Sequence, residues 1–341
     1  MSERPEISAI DAWLLRRQEP ILEPDLPIID PHHHLWIREG EPYLMAELLA
    51  DLYSGHNITA TVFAECHSMY RAHGPTEMRP IGETEFVCGV AAMSESGGFG
   101  PSRACAAIFG GADMMLGAAV EPVLEAHVRA GGGRFRGVRY STGWDASEKI
   151  RSIVPDAHRL AHPQIRAAVG VLNRMGLSFD AWLYHPQLSD ICDLAAAFPD
   201  LTIILNHVGS PILGGPYAGK RDEVFADWKT AIHQVARHPN VVVKLGALPI
   251  RLAGGIHDRE MPPSSEEVAV AWRPYLETCI EAFGPKRGMF ESNFPVQRRW
   301  CSYPVVWNAF KLIAAGMSAE EKTELFSATA ARAYRLQDLS A

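Results

Sequence analysis

The sequence predicts an α/β protein in the form of a distorted (β/α)8 TIM barrel, and two observations carry that prediction. Eight short apolar segments, several rich in β-branched residues, alternate with longer amphipathic segments, as expected for parallel strands covered on both faces. No GxGxxG follows a strand and no GxxxxGK[ST] occurs, so open nucleotide-binding sheets lack their usual signature. Eight strand–helix units within 341 residues favour a closed barrel over a doubly wound sheet.

The predicted elements follow one another regularly after an N-terminal extension. Residues 1–25 are expected to form this extension, a helical segment that ends at a run of prolines, and residues 26–341 a single barrel domain. The strands are predicted at 27–34, 58–66, 104–110, 135–141, 178–185, 201–208, 241–248 and 288–294. The clearest helices are predicted at 121–131, 162–176, 185–199, 223–239 and 265–284, followed by two extra C-terminal helices at 302–316 and 318–336.

The composition narrows the functional classes. The chain carries 32 Lys and Arg against 40 Asp and Glu, a formal net charge of -8, which disfavours nucleic acid as a partner. Six cysteines without a CxxC pair exclude a disulfide scaffold and a thiolate zinc ribbon. Because no secretory signal and no membrane-length apolar run is present, we expect a cytoplasmic protein that binds a small-molecule substrate and no membrane. The N-terminal extension and the C-terminal helices are the segments that we expect to form the interface if the protein is a homodimer.

Three consecutive histidines end the first predicted strand, and two of them give the sharpest chemical signal. Because side chains alternate along a strand, His32 and His34 lie on one face and His33 on the other. Two imidazoles at positions i and i+2 can bind one divalent ion, at metal–nitrogen distances of about 2 Å. A surface cluster is the plainer alternative. The sequence therefore predicts His32 and His34 as ligands of one metal ion.

Other polar side chains stand at the carboxyl ends of predicted strands, which form the functional face of a barrel. They are Glu65, Arg136, Arg139, Tyr184, His185, His207, Glu291 and Asn293. His207 is interpreted as a third metal ligand or a donor to substrate, against simple packing on the rim of the sheet. Glu65 is a candidate metal ligand, general base or imidazole partner. Arg136 and Arg139, with Tyr184, are expected to bind substrate, because a guanidinium binds a carboxylate bidentately.

Structural alternatives exist for several of these assignments. An ion pair of Glu65 with Arg136 or Arg139 explains those three side chains without a substrate. His185 precedes Pro186, a residue suited to the first helical position, so a turn or cap is as well supported there as substrate binding. A loop rich in Pro and Gly is predicted at 249–264, where it would shape the substrate pocket.

Several phrases together resemble the amidohydrolase superfamily, in its amidohydrolase-related (amidohydrolase 2) branch of TIM-barrel metal-dependent hydrolases. IIDPHHHLW, with His32 and His34 in its HxH positions, resembles the first-strand phrase of that branch. LTIILNHVGSP resembles the sixth-strand phrase that ends in Asp and a functional histidine, here Asn206 and His207, and MFESNFPV resembles the eighth-strand phrase. VVVKLGAL and AARAYRL are also similar, so the resemblance covers about residues 26–337.

The resemblance implies a hydrolase, often a lactonase that acts on sugar lactones or on lactones from aromatic breakdown. It also implies one divalent metal, with zinc expected and manganese as the alternative, or in some members no metal. A bound metal lowers the pKa of its water to about 7 and polarises the carbonyl. A metal-dependent nonoxidative decarboxylase of an aromatic or muconate-type acid is the implied alternative.

Position 293 departs from the family pattern. The eighth-strand phrase usually has Asp there, touching the metal or taking the proton of the attacking water, whereas this chain has Asn293. An amide cannot accept that proton. Glu291 lies on the same strand face, roughly 6.6 Å deeper, and is the first candidate for the missing carboxylate, against a buried structural role. Glu65 is the second candidate. Without a replacement, the site is either metal-free, with histidines and arginines polarising the substrate, or a ligand-binding site without turnover.

Overall fold

Eight parallel strands form the wall of a barrel in the computed structural model, which describes residues 9–38, 41–248 and 260–336. The strands are β1 (Ile28–His33), β2 (Ile58–Ala64), β3 (Arg103–Gly110), β4 (Phe135–Ser141), β5 (Ser178–Trp182), β6 (Ile203–Leu205), β7 (Val241–Gly246) and β8 (Gly288–Glu291). Each strand pairs in parallel with the next one along the chain. The predicted (β/α)8 barrel is confirmed, and each observed strand falls within its predicted range to one residue.

The seam between β1 and β8 is closed by a few specific bonds. Asn293 donates its backbone N–H to His32 O at 2.9 Å, and His34 donates to Phe294 O at 2.8 Å. Beneath them the buried Asp30 carboxylate accepts hydrogen bonds from Ser292 N at 3.1 Å, Ser292 Oγ at 2.5 Å and Tyr303 Oη at 3.0 Å. Burial raises the pKa of Asp30 to about 6 despite these donors. The seam therefore fixes the position of the histidines that follow Asp30.

The helices surround the barrel in the order expected for strand–helix units. They are α1 (Ala9–Leu14), α2 (Met45–Leu52), α3 (Ile81–Glu95), α4 (Glu121–Ala130), α5 (Pro163–Arg174), α6 (Leu188–Ala197), α7 (Arg221–Val235), α8 (Ser265–Phe283), α9 (Tyr303–Ile313), α10 (Ala319–Thr323) and α11 (Thr329–Ala333). A π-helical turn at Glu324–Ala328 joins α10 to α11. All seven predicted helices are confirmed, with the last divided by that turn. No helix of the described ranges is both long enough and apolar enough to cross a lipid bilayer.

Two helices, α2 and α3, lie in regions where the sequence analysis specified no helix bounds. The inner face of α3 carries Gly82, Glu83, Thr84 and Ser94 as buried residues, so its apolar periodicity is weak. A Cβ at Gly82 would lie 2.6 Å from Met69 O, which shows how closely this face approaches the neighbouring loop. Tertiary contact therefore determines this helix more than hydrophobic patterning does.

The N-terminal extension is helical over a shorter range than predicted. Within its described residues, only Ala9–Leu14 forms an α-helix, and the following residues run along the barrel in irregular conformation. Lys311 anchors them by donating to Leu22 O and Glu23 O, both at 2.8 Å. Proline removes a backbone donor and prevents helix continuation, which accounts for the irregular path. Of the loop predicted at 249–264, residues 249–259 lie outside the described residues.

The barrel has two apolar layers, which differ in their location and in the elements that contribute their side chains. One layer lies between the strands and the surrounding helices. The other fills the lower, N-terminal end of the lumen with side chains of the strands and of the chain's C-terminal segment, including Phe109, Ile204, Met289, Tyr334 and Leu336. The Tyr334 ring packs edge-to-face on Phe109 with centroids 5.0 Å apart. The C-terminal helices thus plug the lower end and leave the carboxyl ends of the strands for polar groups.

Candidate active site

A buried polar layer lies directly above the apolar plug. Lys244, fully buried on β7, places its Nζ 2.9 Å from Asp180 Oδ2 and 3.0 Å from His32 Nδ1. The same Nζ lies 5.6 Å from the ring centroids of both Phe109 and Tyr334. A buried ammonium requires a paired charge, which Asp180 provides, while the rings below add cation–π attraction. This layer supports the imidazoles above it from beneath.

His32 and His34 converge as the HxH spacing predicted. Their Nε2 atoms are 3.3 Å apart, and both rings are buried. His34 donates Nδ1–H to Ala64 O at 2.8 Å, so its Nε2 carries the free lone pair. Two nitrogens bound to one tetrahedral metal at about 2.0–2.1 Å stand about 3.3–3.4 Å apart. The spacing of the two Nε2 atoms therefore fits a shared metal ion.

Burial keeps these two imidazoles in the form that binds metals. It lowers the pKa of His32 well below its ordinary value, and the positive charge of Lys244 lowers it further. Burial likewise lowers the pKa of His34, with the Arg139 guanidinium acting in the same direction. Both rings are therefore neutral at pH 7, as metal ligation requires.

Asn293 extends this ligand set at the carboxyl end of β8. Its Oδ1 lies 3.3 Å from His34 Nε2, and its backbone has a left-handed φ of 53°, which Asn tolerates better than most residues. An amide oxygen and an imidazole lone pair both accept hydrogen bonds and do not attract each other. A cation between them resolves that conflict. Asn293, which stands where the resemblance led us to expect Asp, thus offers an amide oxygen that is available to a metal ion bound by the imidazoles.

His207 and Glu291 form a dyad beside the imidazole pair. Glu291 Oε1 lies 2.6 Å from His207 Nδ1 and also accepts the backbone N–H of His207 at 3.2 Å. Its other oxygen, Oε2, lies 3.1 Å from His32 Nδ1. One nitrogen or oxygen from each of His32, His207 and Glu291 falls within 4.8 Å of the other two. Because the carboxylate holds the Nδ1–H of His207, the lone pair of Nε2 is left for chemistry.

Local backbone geometry places this dyad. After β6 the chain turns through His207, Val208 and Ser210, which have positive φ values of 53°, 48° and 43°. Such a conformation is strained for a β-branched residue, and Trp228 supports it by donating Nε1–H to Val208 O at 2.7 Å. On β7, a Cβ at Gly246 would lie 2.8 Å from Glu291 Cγ. Only glycine leaves room for the Glu291 side chain there.

The imidazoles open into a cleft of about 780 Å³ at the carboxyl ends of the strands. Its walls carry four cationic side chains, one carboxylate and several aromatic rings: Arg38, Arg139, Lys149, Arg151, Glu65, Trp36, Trp182, Tyr184 and Trp300. Trp36 stacks on His34 with centroids 5.4 Å apart, and Arg38 covers the Trp36 ring at 4.0 Å. The excess of positive charge suits an anionic ligand.

Arg139 projects into this cleft from β4. Its Nε donates to Asn206 Oδ1 at 3.0 Å, and its NH1 donates to Glu65 O at 3.2 Å and lies 3.5 Å from Glu65 Oε1. Asn206 in turn donates to Asp180. Glu65 is buried, and its Oε2 accepts no hydrogen bond within the described part of the chain. The structure therefore places both Arg139 and Glu65 on the cleft wall, paired with each other.

Three predicted substrate residues have other surroundings. Arg136, near the start of β4, donates to Tyr334 O and Gly133 O at the lower end of the barrel, so the structure does not bring it to the cleft. His185 is buried, and its Nδ1 accepts the Ile212 N–H at 3.2 Å. Tyr184 lines the cleft, but its hydroxyl donates to Arg151 O at 2.8 Å. Arg136 and Arg139 separate because residues three apart on a strand face opposite sides.

Four residues that support the imidazoles or Arg139 were given no role by the sequence analysis: Trp36, Asp180, Asn206 and Lys244. A signal existed for two of them, since Lys244 and Asp180 each interrupt an otherwise apolar strand, VVVKLG and SFDAW. A charge in such a strand has to be paired inside the barrel. That each would pair with the other depends on the order and register of the strands around the barrel, where β5 and β7 flank β6, and the sequence does not show this.

A family model for amidohydrolases matches residues 29–336. The chain belongs to the amidohydrolase family. The chain is 32% identical over 334 residues to an uncharacterized protein, y4mH, of Sinorhizobium fredii, covering 92% of this chain and 99% of the relative. It is 28% identical over 210 residues to an L-fucono-1,5-lactonase of Burkholderia multivorans, covering 61% of this chain and 65% of that protein.

Solved structures show the same fold. A crystal structure of an amidohydrolase from Burkholderia multivorans with bound zinc has a TM-score of 0.67 at 23% identity, covering 90% of this amidohydrolase and 99% of that chain. At this identity the likeness concerns the fold alone. Membership of the amidohydrolase family supports a hydrolase.

Proposed function

We propose that this amidohydrolase opens a lactone, or a related ester, of a small anionic substrate with the help of one divalent metal ion, zinc being the expected one. The observation that carries the proposal is the combination of two Nε2 atoms 3.3 Å apart with a His207–Glu291 dyad at the same mouth. His32, His34 and Asn293 would hold the metal through two ring nitrogens and one amide oxygen. A bound divalent metal supplies a nucleophilic water near neutral pH and polarises the carbonyl.

In this proposal His207 is the general base. With Nδ1 held by Glu291 at 2.6 Å, the free Nε2 accepts the proton of the water that attacks the carbonyl carbon. The resulting imidazolium is stabilised by the Glu291 carboxylate and returns the proton to the ring oxygen that leaves. The dyad thus performs the proton transfer that an Asp at position 293 performs elsewhere in the family, and Asn293 need not accept a proton.

Arg139 is the proposed anchor for a substrate carboxylate. Its Nε and NH1 are engaged by Asn206 and Glu65, which fixes the plane of the guanidinium and directs the remaining edge to the cleft. The substrate class is supported by the lactonase relative and by the excess of cationic side chains in the cleft. A decarboxylase would use the same metal ligands but would need no base for water.

The test combines metal analysis with a panel of anionic and neutral lactones. We expect about one zinc or manganese per chain and acid release from a lactone, and no carbon dioxide from aromatic acids. His207→Gln should retain metal and lower kcat roughly 100- to 10,000-fold, the usual contribution of a general base. His73→Gln, at an exposed histidine outside the cleft, serves as the matched control.

Two results would contradict the proposal. Undiminished turnover by His207→Gln would show that His207 is not the general base. Carbon dioxide release without any lactone opening would show that the protein is a decarboxylase and not a hydrolase.

A further inference from the structure

A second charged cavity lies at the lower end of the barrel, away from the cleft. Its volume is about 200 Å³, and its lining includes four guanidinium groups and one carboxylate: Arg103, Arg134, Arg136, Arg335 and Glu95. The adjoining Gly132 and Gly133 offer no side chain that fills it. In a chain whose formal net charge is -8, this concentration of positive charge is local and unexpected.

The contacts within the cavity account for only part of its charge. Glu95 pairs with two of the arginines, lying 3.5 Å from Arg103 NH2 and in closer contact with Arg134 NH2. Arg136 and Arg335 bond mainly to backbone carbonyls, those of Tyr334 at 2.7 Å and of residue 136 at 3.2 Å among them. Carbonyl groups satisfy donors but carry no net charge. Within the part of the chain that the structure describes, three positive charges around the cavity therefore remain without a compensating carboxylate in its lining.

The guanidinium groups also repel one another. The pKa of Arg136 is lowered, first by burial and then by the charges of Arg335 and Arg134. Arg134 is largely shielded, with only 19% of its side chain exposed, so solvent screens this repulsion incompletely. An anion in the cavity would relieve the repulsion and would be held by forked donors suited to oxygen atoms.

We propose that this cavity binds a small multivalent oxyanion, of the phosphate or polycarboxylate type. The site is separate from the reaction in the cleft and does not depend on the proposed function. The proposal also gives Arg136 an anion-binding role at the lower end of the barrel, whereas the sequence analysis expected it to bind substrate at the upper end. Since the cavity is bounded by the C-terminal segment through Arg335 and Leu336, a bound anion also ties that segment to the barrel.

The test is calorimetric titration with inorganic phosphate and, in a separate arm, with citrate. Both are performed on full-length protein carrying Arg139→Met, which removes the main anion anchor of the cleft. We expect one saturable site for at least one of the two anions, weakened by added salt as charge pairing requires. The arm that gives the tighter binding identifies the source of the oxyanion.

Two substitutions with opposite expected signs locate the site. Arg103→Met, at a partly exposed side chain that bonds only to Glu95 among the described residues, should weaken binding roughly 10-fold. Glu95→Gln removes the only carboxylate that lines the cavity among the described residues and should tighten binding several-fold. A purely structural role of the arginines does not predict tighter binding. Arg237→Met, at an exposed arginine away from the cavity, is the control and should leave the affinity unchanged.

No saturable binding of either anion would overturn the proposal. Equal affinities of Arg103→Met, Glu95→Gln and the parent would also overturn it, because the bound anion would then be adventitious or would lie elsewhere.

Discussion

The two ends of the barrel lumen are built from the same eight strands and enclose opposite kinds of side chain. At the lower end Tyr334, Phe109 and Met289 pack as an apolar plug. At the upper end His32, His34 and Glu291 are just as deeply buried but are polar, and each depends on a specific partner. The comparison shows that burial alone does not distinguish core from active site. What distinguishes them is whether the buried atoms gain their stability from packing or from directed bonds.

Backbone strain is distributed unevenly between the two ends. Most non-glycine residues with positive φ in the described ranges follow the carboxyl ends of strands: His67, Met69, His207, Val208, Ser210, Ala247 and Asn293. Each such residue typically costs about 1–3 kcal/mol unless its surroundings impose the conformation. The apolar packing of the plug and the outer layer therefore offsets the free-energy cost of these conformations, which hold the polar groups of the upper end in place.

Removal of the plug should give the largest loss of stability. Tyr334→Ala should lower the free energy of unfolding by about 3–5 kcal/mol, because a fully buried aromatic ring leaves a cavity between Phe109 and Lys244. Urea unfolding monitored by circular dichroism measures the change. Tyr334→Phe is the matched control, and it should change stability by about 1 kcal/mol or less because the Tyr334 hydroxyl has no hydrogen-bond partner among the described residues. Equal stability of the Ala and Phe variants would contradict the role of the plug.

The buried polar layer between the apolar plug and the imidazoles can be tested by exchanging the side chains at positions 180 and 206. Asn206→Asp places a carboxylate against Asp180 and removes a donor, so it should destabilise the protein by about 2–3 kcal/mol. The double variant Asp180→Asn/Asn206→Asp restores the pairing, because the new amide at 180 donates to the new carboxylate at 206 and still accepts from Lys244. We expect a coupling free energy of at least about 1 kcal/mol from a double-mutant cycle. Simple additivity of the two losses would show that Asn206 and Asp180 do not act as a pair.

The smallest expected effect concerns acid stability at the lower end. His56 accepts from Lys311 Nζ at 2.8 Å and donates to Pro304 O at 3.1 Å. Burial, followed by the Lys311 charge, lowers the pKa of His56 to about 4. As the pH falls below about 6.5, the ordinary pKa of histidine, the unfolded chain therefore binds a proton at His56 while the folded protein does not. The contribution of His56 alone to the free energy of unfolding should be constant well above that value and fall by about 1–2 kcal/mol between pH 7 and pH 5.

His56→Gln keeps an acceptor and a donor at the same place and does not titrate. Its free energy of unfolding should consequently change less between pH 7 and pH 5 than that of the unsubstituted protein, as measured by urea titration at both values. His73→Gln should retain the full pH dependence. If His56→Gln were as sensitive to acid as the parent, another group would carry the effect.

Much of the architecture could be predicted from local pattern. The eight strands are largely apolar, several are rich in β-branched residues, and the alternation of side chains along β1 predicts His32 and His34 on one face. Helix α3 was harder to predict in this way, since its buried face includes Glu83 and Thr84 and its apolar period is therefore weak. Likewise, the role of Glu291 rests on a contact with His207, which lies in the turn after β6, 84 residues away in the chain.

The sequence by itself determined the barrel, the face on which its chemistry lies and the pair of imidazoles at the end of β1, because strand periodicity and chain order are local properties. Tertiary structure alone decided that Arg139 faces the cleft while Arg136 faces the lower cavity, and that Lys244 pairs with Asp180 beneath His32. The physical reason is that a closed barrel brings together side chains from strands that are far apart in the chain. Their partnership depends on register, tilt and the glycine that makes room, as Gly246 does for Glu291, and none of these is encoded within a single segment.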